Sequence, residues 1–180
     1  MLQQTQVRRV LDFFPRFLAR YPTVFELAAA SEEAVREAWE GLGYYRRAAN
    51  LHATAQIIAQ RHGGRFPTDP AALERLPGVG RYTAGAVAAF AFGADAPIVD
   101  TNAGRVLTRV FGAGPVRART RRLWGIAYRV TPAGRAYDFN QGIMDLGAMV
   151  CTARRPACAR CPVRTVCRTF ARRARASDQR

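Results

Sequence analysis

The sequence contains no lysine: all 28 of its basic residues are arginine. No side-chain amine can therefore form a Schiff base, and imine chemistry would fall to the N-terminal amine alone. Acidic residues are few as well, 13 in number, which leaves a formal net charge of +15 and favours a polyanionic partner over a membrane. Apolar runs are short. Stretches such as AGAVAAFAFGA fall far below the ~20 residues of a bilayer span, and the opening MLQQTQVRRV lacks the apolar core of a signal peptide. The expectation is a soluble, cytoplasmic monomer with no membrane association. Histidine occurs twice, as His52 and His62, in no ligand spacing; both read as packing or helix-surface residues.

Alternation with period two is missing too, so the chain reads as all-α. Apolar spacing and caps predict helices over residues 4–20, 23–30, 31–41, 44–62, 81–92, 101–111, 118–130 and 136–150. Ser31 serves as an N-cap, Gly63 and Gly64 end the fourth helix, and Asp69 with Pro70 opens a short helix reaching Leu76. From Cys151 onward nine arginines stand against one acid, so this end carries +8 of the total and reads as a basic C-terminal tail.

All four cysteines, Cys151, Cys158, Cys161 and Cys167, lie in CTARRPACARCPVRTVC. In a chain without a secretory signal such a cluster points to metal ligation rather than disulfides. Zinc sites usually pair two close doublets, and here Cys158 and Cys161 form the one CxxC. Four thiolates can equally hold an iron-sulfur cube, so spacing alone leaves both open.

The stretch LPGVGRYTAG places Gly78 and Gly80 ahead of Arg81 and Tyr82. A Gly-x-Gly turn before a helix exposes backbone amides at the positive end of the helix dipole, where one phosphate can bind without sequence being read. As an isolated signal it is weak, since such turns also serve as plain connections. Twenty residues after Gly80 comes Asp100 in APIVDTNAGRV, an aspartate in N-cap position.

Taken in order, LPGVG, VDTN and C-x6-C-x2-C-x5-C resemble the helix-hairpin-helix DNA glycosylase superfamily that includes endonuclease III. The resemblance implies a six-helix barrel lobe at residues 1–113, with the hairpin at about 69–92, and a cluster lobe at 114–180. It implies a [4Fe-4S] cluster on the four cysteines, ringed by Arg154, Arg155, Arg160 and Arg164 facing phosphates. It makes Asp100 the carboxylate that stabilises an oxocarbenium-like sugar or positions water, with Asn102 in support. Gly78, Gly80 and Arg81 would then meet DNA. Tyr82 stands where lyase-type relatives carry their Schiff-base lysine, which implies hydrolysis without strand cleavage.

MLQQTQV, GLGYYRRAANLH and FNQGIMDLGAMVC narrow the match to the adenine DNA glycosylase (MutY) family. That family excises adenine mispaired with 8-oxoguanine or guanine and must flip it out of the duplex, so the implied partner is double-stranded DNA with a mismatch or oxidised guanine. By this resemblance Gln4 wedges into the stack, with Gln3, Thr5, Leu42, Gly43 and Tyr44 nearby. The glycines flanking Leu42 imply a tight, exposed turn, although Leu42 and Tyr44 could instead be core. A thymine glycosylase acting on T/G mismatches is the rival branch. The family also carries a general-acid glutamate two residues before the motif's methionine, an additional first helix and, in many members, a lesion-reading domain at the far end. The resemblance thus makes the chain a core shortened at both ends, and an impaired iron-sulfur DNA-binding module is the other alternative.

Overall fold

A computed structural model of the chain describes residues 1–112 and 116–177. Among these every regular element is helical, in keeping with the missing period-two alternation. The α-helices are α1 (Val7–Arg20), α2 (Val24–Ala29), α3 (Glu32–Ala38), α4 (Arg46–His62), α5 (Pro70–Leu73), α6 (Arg81–Phe92), α7 (Thr101–Phe111), α8 (Val116–Val130), α9 (Ala136–Asp145) and α10 (Arg168–Ser177). No helix among the described residues is long and apolar enough to cross a membrane. Packing groups them into two compact units, Met1–Gly80 and Arg81–Arg180. The lobe boundary expected at 113 and 114 lies outside the described residues.

In the first unit, side chains supply the helix starts that the sequence marks. Thr23 and Glu26 form a reciprocal capping box on α2, Ser31 accepts from the Ala34 amide, and Asp69 accepts from the Ala72 amide at 2.8 Å. Each such cap contributes about 1 kcal/mol. Gly63 ends α4 in the left-handed region at φ 57°. The core joins Val10, Phe17, Leu27, Val35, Trp39 and Ala55, with the Phe17 ring edge-on to Trp39 at 5.8 Å between centroids. Three expected spans are corrected. The helix expected over 31–41 ends at Ala38, where Trp39 and Glu40 bond three residues back. Gln4 takes φ 57°, which no helix tolerates, so α1 begins at Val7 and not at residue 4. The helix expected to run to Leu76 ends at Leu73, because Arg75 and Leu76 bond three residues back and tighten the chain into turns.

The second unit packs Ala103, Val106, Leu107, Leu123, Ala127 and Ile143 into its own core. Asn140, fully buried on α9, accepts from the Ile98 amide at 3.2 Å and donates to the Ala96 carbonyl at 2.8 Å. This side chain takes the place of a strand partner for the segment leading into α7. Gly85 on α6 permits the same segment to approach, since a Cβ there would stand 2.6 Å from the Pro97 carbonyl oxygen. The helix expected over 136–150 ends at Asp145, and Leu146–Val150 forms a π-helical turn. The expected basic tail is helical from Arg168 to Ser177, tied down where Thr169 Oγ1 donates to the Arg109 carbonyl at 2.7 Å.

Replacing Asn140 by leucine keeps the branching of the side chain but adds bulk at a fully buried site and strands two backbone groups. We expect Asn140→Leu to lose about 2–4 kcal/mol, read as a lower midpoint in urea denaturation.

Candidate functional site

Asp100 caps α7: its Oδ1 accepts from the Ala103 amide at 2.6 Å, and its backbone is extended at φ −90° and ψ −172°. The carboxylate is thus fixed at the positive end of an eleven-residue helix. Tyr82, on the first turn of α6 and 41% exposed, feels this charge. Burial raises its phenol above the ordinary tyrosine value, and the Asp100 carboxylate raises it further. The structure therefore sets Tyr82 within electrostatic reach of Asp100, which the sequence holds 18 residues apart.

Asn102 is held from the opposite direction. Arg105 Nη2 donates to Asn102 Oδ1 and to the Gly147 carbonyl, both at 2.7 Å, while its Nε donates to the Cys151 carbonyl at 2.8 Å. Gly147 sits in the π-helical turn because nothing larger fits: a Cβ would stand 2.7 Å from that of Asn102. One guanidinium so connects the Asp100 segment to the first cysteine.

The four cysteines, all half-buried and none in a disulfide, line one shared cavity. Val106, Val110, Leu146 and Phe170 supply apolar wall, and Arg109, Arg164 and Arg173 reach it from the sides. Arg109 Nη1 donates to Cys151 Sγ at 3.3 Å and to the Thr152 carbonyl at 2.7 Å, and its Nη2 donates to the Ala153 carbonyl at 2.8 Å. Among the described residues no three His, Cys, Asp or Glu side chains close on a single point as one ion requires. Four ligands on one zinc stand about 3.8 Å apart, given a Zn–S bond of ~2.3 Å. Thiols spread around a shared cavity, with arginine donors toward sulfur, fit the larger [4Fe-4S] group. Of the arginines expected to face phosphates, Arg164 is exposed, donates to the Ala159 carbonyl at 3.1 Å and lies 6.0 Å from the Phe170 ring centroid.

In the first unit Gly78 is required by its backbone, φ 73°, and by space, because a Cβ would stand 2.7 Å from Asn50. Thr54 Oγ1 donates to the Pro77 carbonyl at 3.0 Å and ties this turn to α4. Gly80 has neither constraint, with nothing within 4 Å of where its Cβ would be. Arg81, expected to meet DNA, lies in the second unit with its guanidinium 4.3 Å from the Trp124 ring centroid and 5.8 Å from that of Tyr128. The turn around Leu42 is tight, with Gly41 at φ 90° and Gly43 at φ 73°, but Leu42 itself is only 4% exposed. Its side chain packs into the core with Trp39, correcting the exposed placement, whereas Tyr44 is 62% exposed at φ 52°. Gln3, Gln4 and Tyr44 border one open cavity.

The sequence reading missed Arg47, Arg105, Arg109 and Asn140. All four act on carbonyls or amides roughly 40 residues away, and no local pattern marks such a partner.

Two outcomes are expected. Substituting Asp100→Asn removes the charge beside Tyr82, so its phenol should titrate closer to an ordinary tyrosine, read as the ultraviolet difference against Tyr82→Phe. A raised folded value means that this phenol's contribution to stability is complete below about pH 10 and is lost as pH climbs through that value. The purified protein should be brown, with about four irons and four sulfides per chain, and Cys161→Ser should lower that iron content.

Comparison with known proteins agrees with this geometry. Residues 1–126 match the family described as HhH-GPD superfamily base excision DNA repair protein, and residues 151–167 match the iron-sulfur binding domain of endonuclease III. The adenine DNA glycosylase of Homo sapiens is 45% identical over 172 residues, covering 93% of this chain and 32% of that protein. That of Mycolicibacterium smegmatis is 47% identical over 164 residues, 91% of this chain and 56% of that one. The chain spans about a third of the length of the mammalian relatives it matches. Among solved structures, a thermostable thymine-DNA glycosylase superposes with a TM-score of 0.83 at 30% identity, covering 95% of this chain and 80% of that one. A non-covalent endonuclease III–DNA complex gives 0.78 at 26% identity, with 97% and 81% covered. With the hairpin turn, the capping aspartate and the four cysteines placed as they are, the chain belongs to the HhH-GPD superfamily of base excision DNA repair proteins and carries that family's endonuclease III-type iron-sulfur segment.

Proposed function

We propose that the chain is the core of a monofunctional DNA glycosylase that hydrolyses the N-glycosidic bond of adenine paired with 8-oxoguanine or guanine in double-stranded DNA. The observation that carries this reading is the Asp100 carboxylate held on the Ala103 amide, with a tyrosine and no amine in its field, in a chain without lysine. When the bond from C1′ to adenine N9 breaks, positive charge develops on the sugar. A carboxylate fixed in advance by a backbone amide stabilises that charge without having to reorganise. Water then adds at C1′ as hydroxyl, and the proton it gives up balances the one taken up by the departing adenine, leaving an abasic sugar and neutral adenine. Tyr82 stays a neutral phenol, able to donate a hydrogen bond but not to form an imine, so elimination at the abasic sugar has no side-chain amine to run on.

In this reading Gly78 and Gly80 offer amides to a phosphate, Gln4 fills the gap left by the flipped base, and Asn102 stands by Asp100. Residues 1–113 serve as the barrel lobe and 114–180 as the cluster lobe. Cys151, Cys158, Cys161 and Cys167 hold the cluster, which supplies order to an arginine-rich loop with little secondary structure of its own. Similarity favours adenine over thymine as the base, at 45–47% identity to adenine DNA glycosylases against 30% to the thymine-DNA glycosylase.

The test is single-turnover release of base from duplexes carrying A·8-oxoguanine, A·G or T·G. Release of adenine without strand cleavage is expected, with Asp100→Asn slower by at least ~10²-fold while duplex binding persists. Thymine release from T·G in place of adenine release would overturn the base assignment. Binding should also weaken steeply with salt as arginine-phosphate contacts displace counterions.

A further inference from the structure

Among the described residues, Gln4 at φ 57° and Tyr44 at φ 52° are the two without glycine's freedom that take the left-handed backbone. They lie on separate loops, and both loops hang on Arg47. Its Nη1 donates to the carbonyls of Met1, at 2.7 Å, and Gln3. Its Nη2 donates to Thr5 Oγ1 at 2.8 Å, the Gly43 carbonyl at 3.2 Å and the Leu42 carbonyl at 3.4 Å. The guanidinium plane also lies between aromatic rings, 5.4 Å from the centroid of Tyr44 and 5.5 Å from that of Trp39. Trp39 Nε1 in turn donates to the Gly43 carbonyl at 3.1 Å. The Arg47 Nε is buried without a hydrogen-bond partner. Such a group is tolerated where the remaining contacts over-determine the position of the side chain.

We propose that Arg47 is a positioning residue that couples the Gln3–Gln4–Thr5 loop to the Leu42–Gly43–Tyr44 loop, so that both enter the duplex in one fixed register. The functional half of this inference rests on the reading of these loops as the ones that meet the mispair. The physical half does not. Left-handed backbone at Gln4 and Tyr44 is unfavourable in isolation, and each loop offers carbonyls with no helical partner. A planar fork with five donors satisfies acceptors from both loops at once, which an ammonium with three donors on a flexible stem cannot reproduce. The stacking of Tyr44 on the same fork places the exposed ring and the Gln4 side chain on the border of the one open cavity they share. A shift at either loop must therefore move the guanidinium, and with it the other loop.

The experiment uses the full chain with its cluster and the variants Arg47→Lys and Arg47→Ala. Amide hydrogen exchange is read first, without DNA. Arg47→Lys should raise exchange about tenfold or more in residues 2–5 and 41–45 together, with the amides of α4 and of the second unit unchanged. Added ethylguanidinium should restore protection in Arg47→Ala, and ethylammonium should not. With DNA, 2-aminopurine beside the target adenine should unstack less in Arg47→Lys. Its preference for A·8-oxoguanine over A·T should fall ~10–100-fold in kcat/KM, while binding to undamaged duplex stays as before. Loosening of one loop alone, equal rescue by the two cations, or unchanged exchange in Arg47→Lys would overturn the coupling. Absence of adenine release by the unsubstituted chain would count against the glycosylase reading alone, because the exchange result stands without it.

Discussion

Carbonyl groups in irregular backbone need donors, and in this chain arginine side chains supply them. Arg47 serves the loops before α1 and before α4, Arg105 the π-helical turn, Arg109 three successive carbonyls from Cys151 to Ala153, and Arg168 the end of α7 at the Phe111 carbonyl. The cysteine loop and the turns around Gln4 and Tyr44 lie largely outside α-helix, and their local turn bonds leave carbonyls that the guanidinium groups take up. A guanidinium keeps its charge under all ordinary conditions and can bridge acceptors on two elements at once. The absence of lysine thus has a structural counterpart: these positions call for forks rather than point charges.

The same constraint explains how the two ends of the proposed chemistry are related. The segment from Ala96 to Asp100 is fixed from α9 through Asn140 and is allowed its close approach to α6 by Gly85. Asn102 meets Arg105 on one side and the bare backbone of Gly147 on the other. The carboxylate proposed to meet charge on the sugar has to be in place beforehand, and the position of Asp100 is set by buried contacts. The cysteine cavity borders the same helix α7 through Val106, Arg109 and Val110.

What the sequence made legible was local. Ser31, Asp69 and Asp100 announce helix starts by residue type, Gly63 announces an end, and four cysteines within one short segment announce a shared site. Legibility failed where a residue answers to something distant. Gln4 has good helical propensity, yet its loop is bound to Arg47 and its backbone turns left-handed. Leu42 sits between two glycines that make a turn, and the direction of its side chain follows from the core around Trp39. Arg81 and Arg164 carry the charge expected of phosphate ligands, and nothing in their local sequence reveals the aromatic rings they lie against. The apolar spacing of Leu146–Val150 differs little from that of α9 and predicts continuous helix, where the backbone makes a π-helical turn.

That turn holds the cluster segment to a count. A helix turns by about 100° for each residue, and a π-helical turn accommodates one residue more than an α-helical one before the chain resumes. Between the buried Asn140 and Cys151 the chain therefore works as a gear with a fixed number of teeth. Adding or losing a single residue in Leu146–Val150 could leave every helix intact and yet swing the first thiol to another side of its axis, away from Arg105 and Arg109. For this stretch, drift in length is a graver injury than drift in sequence.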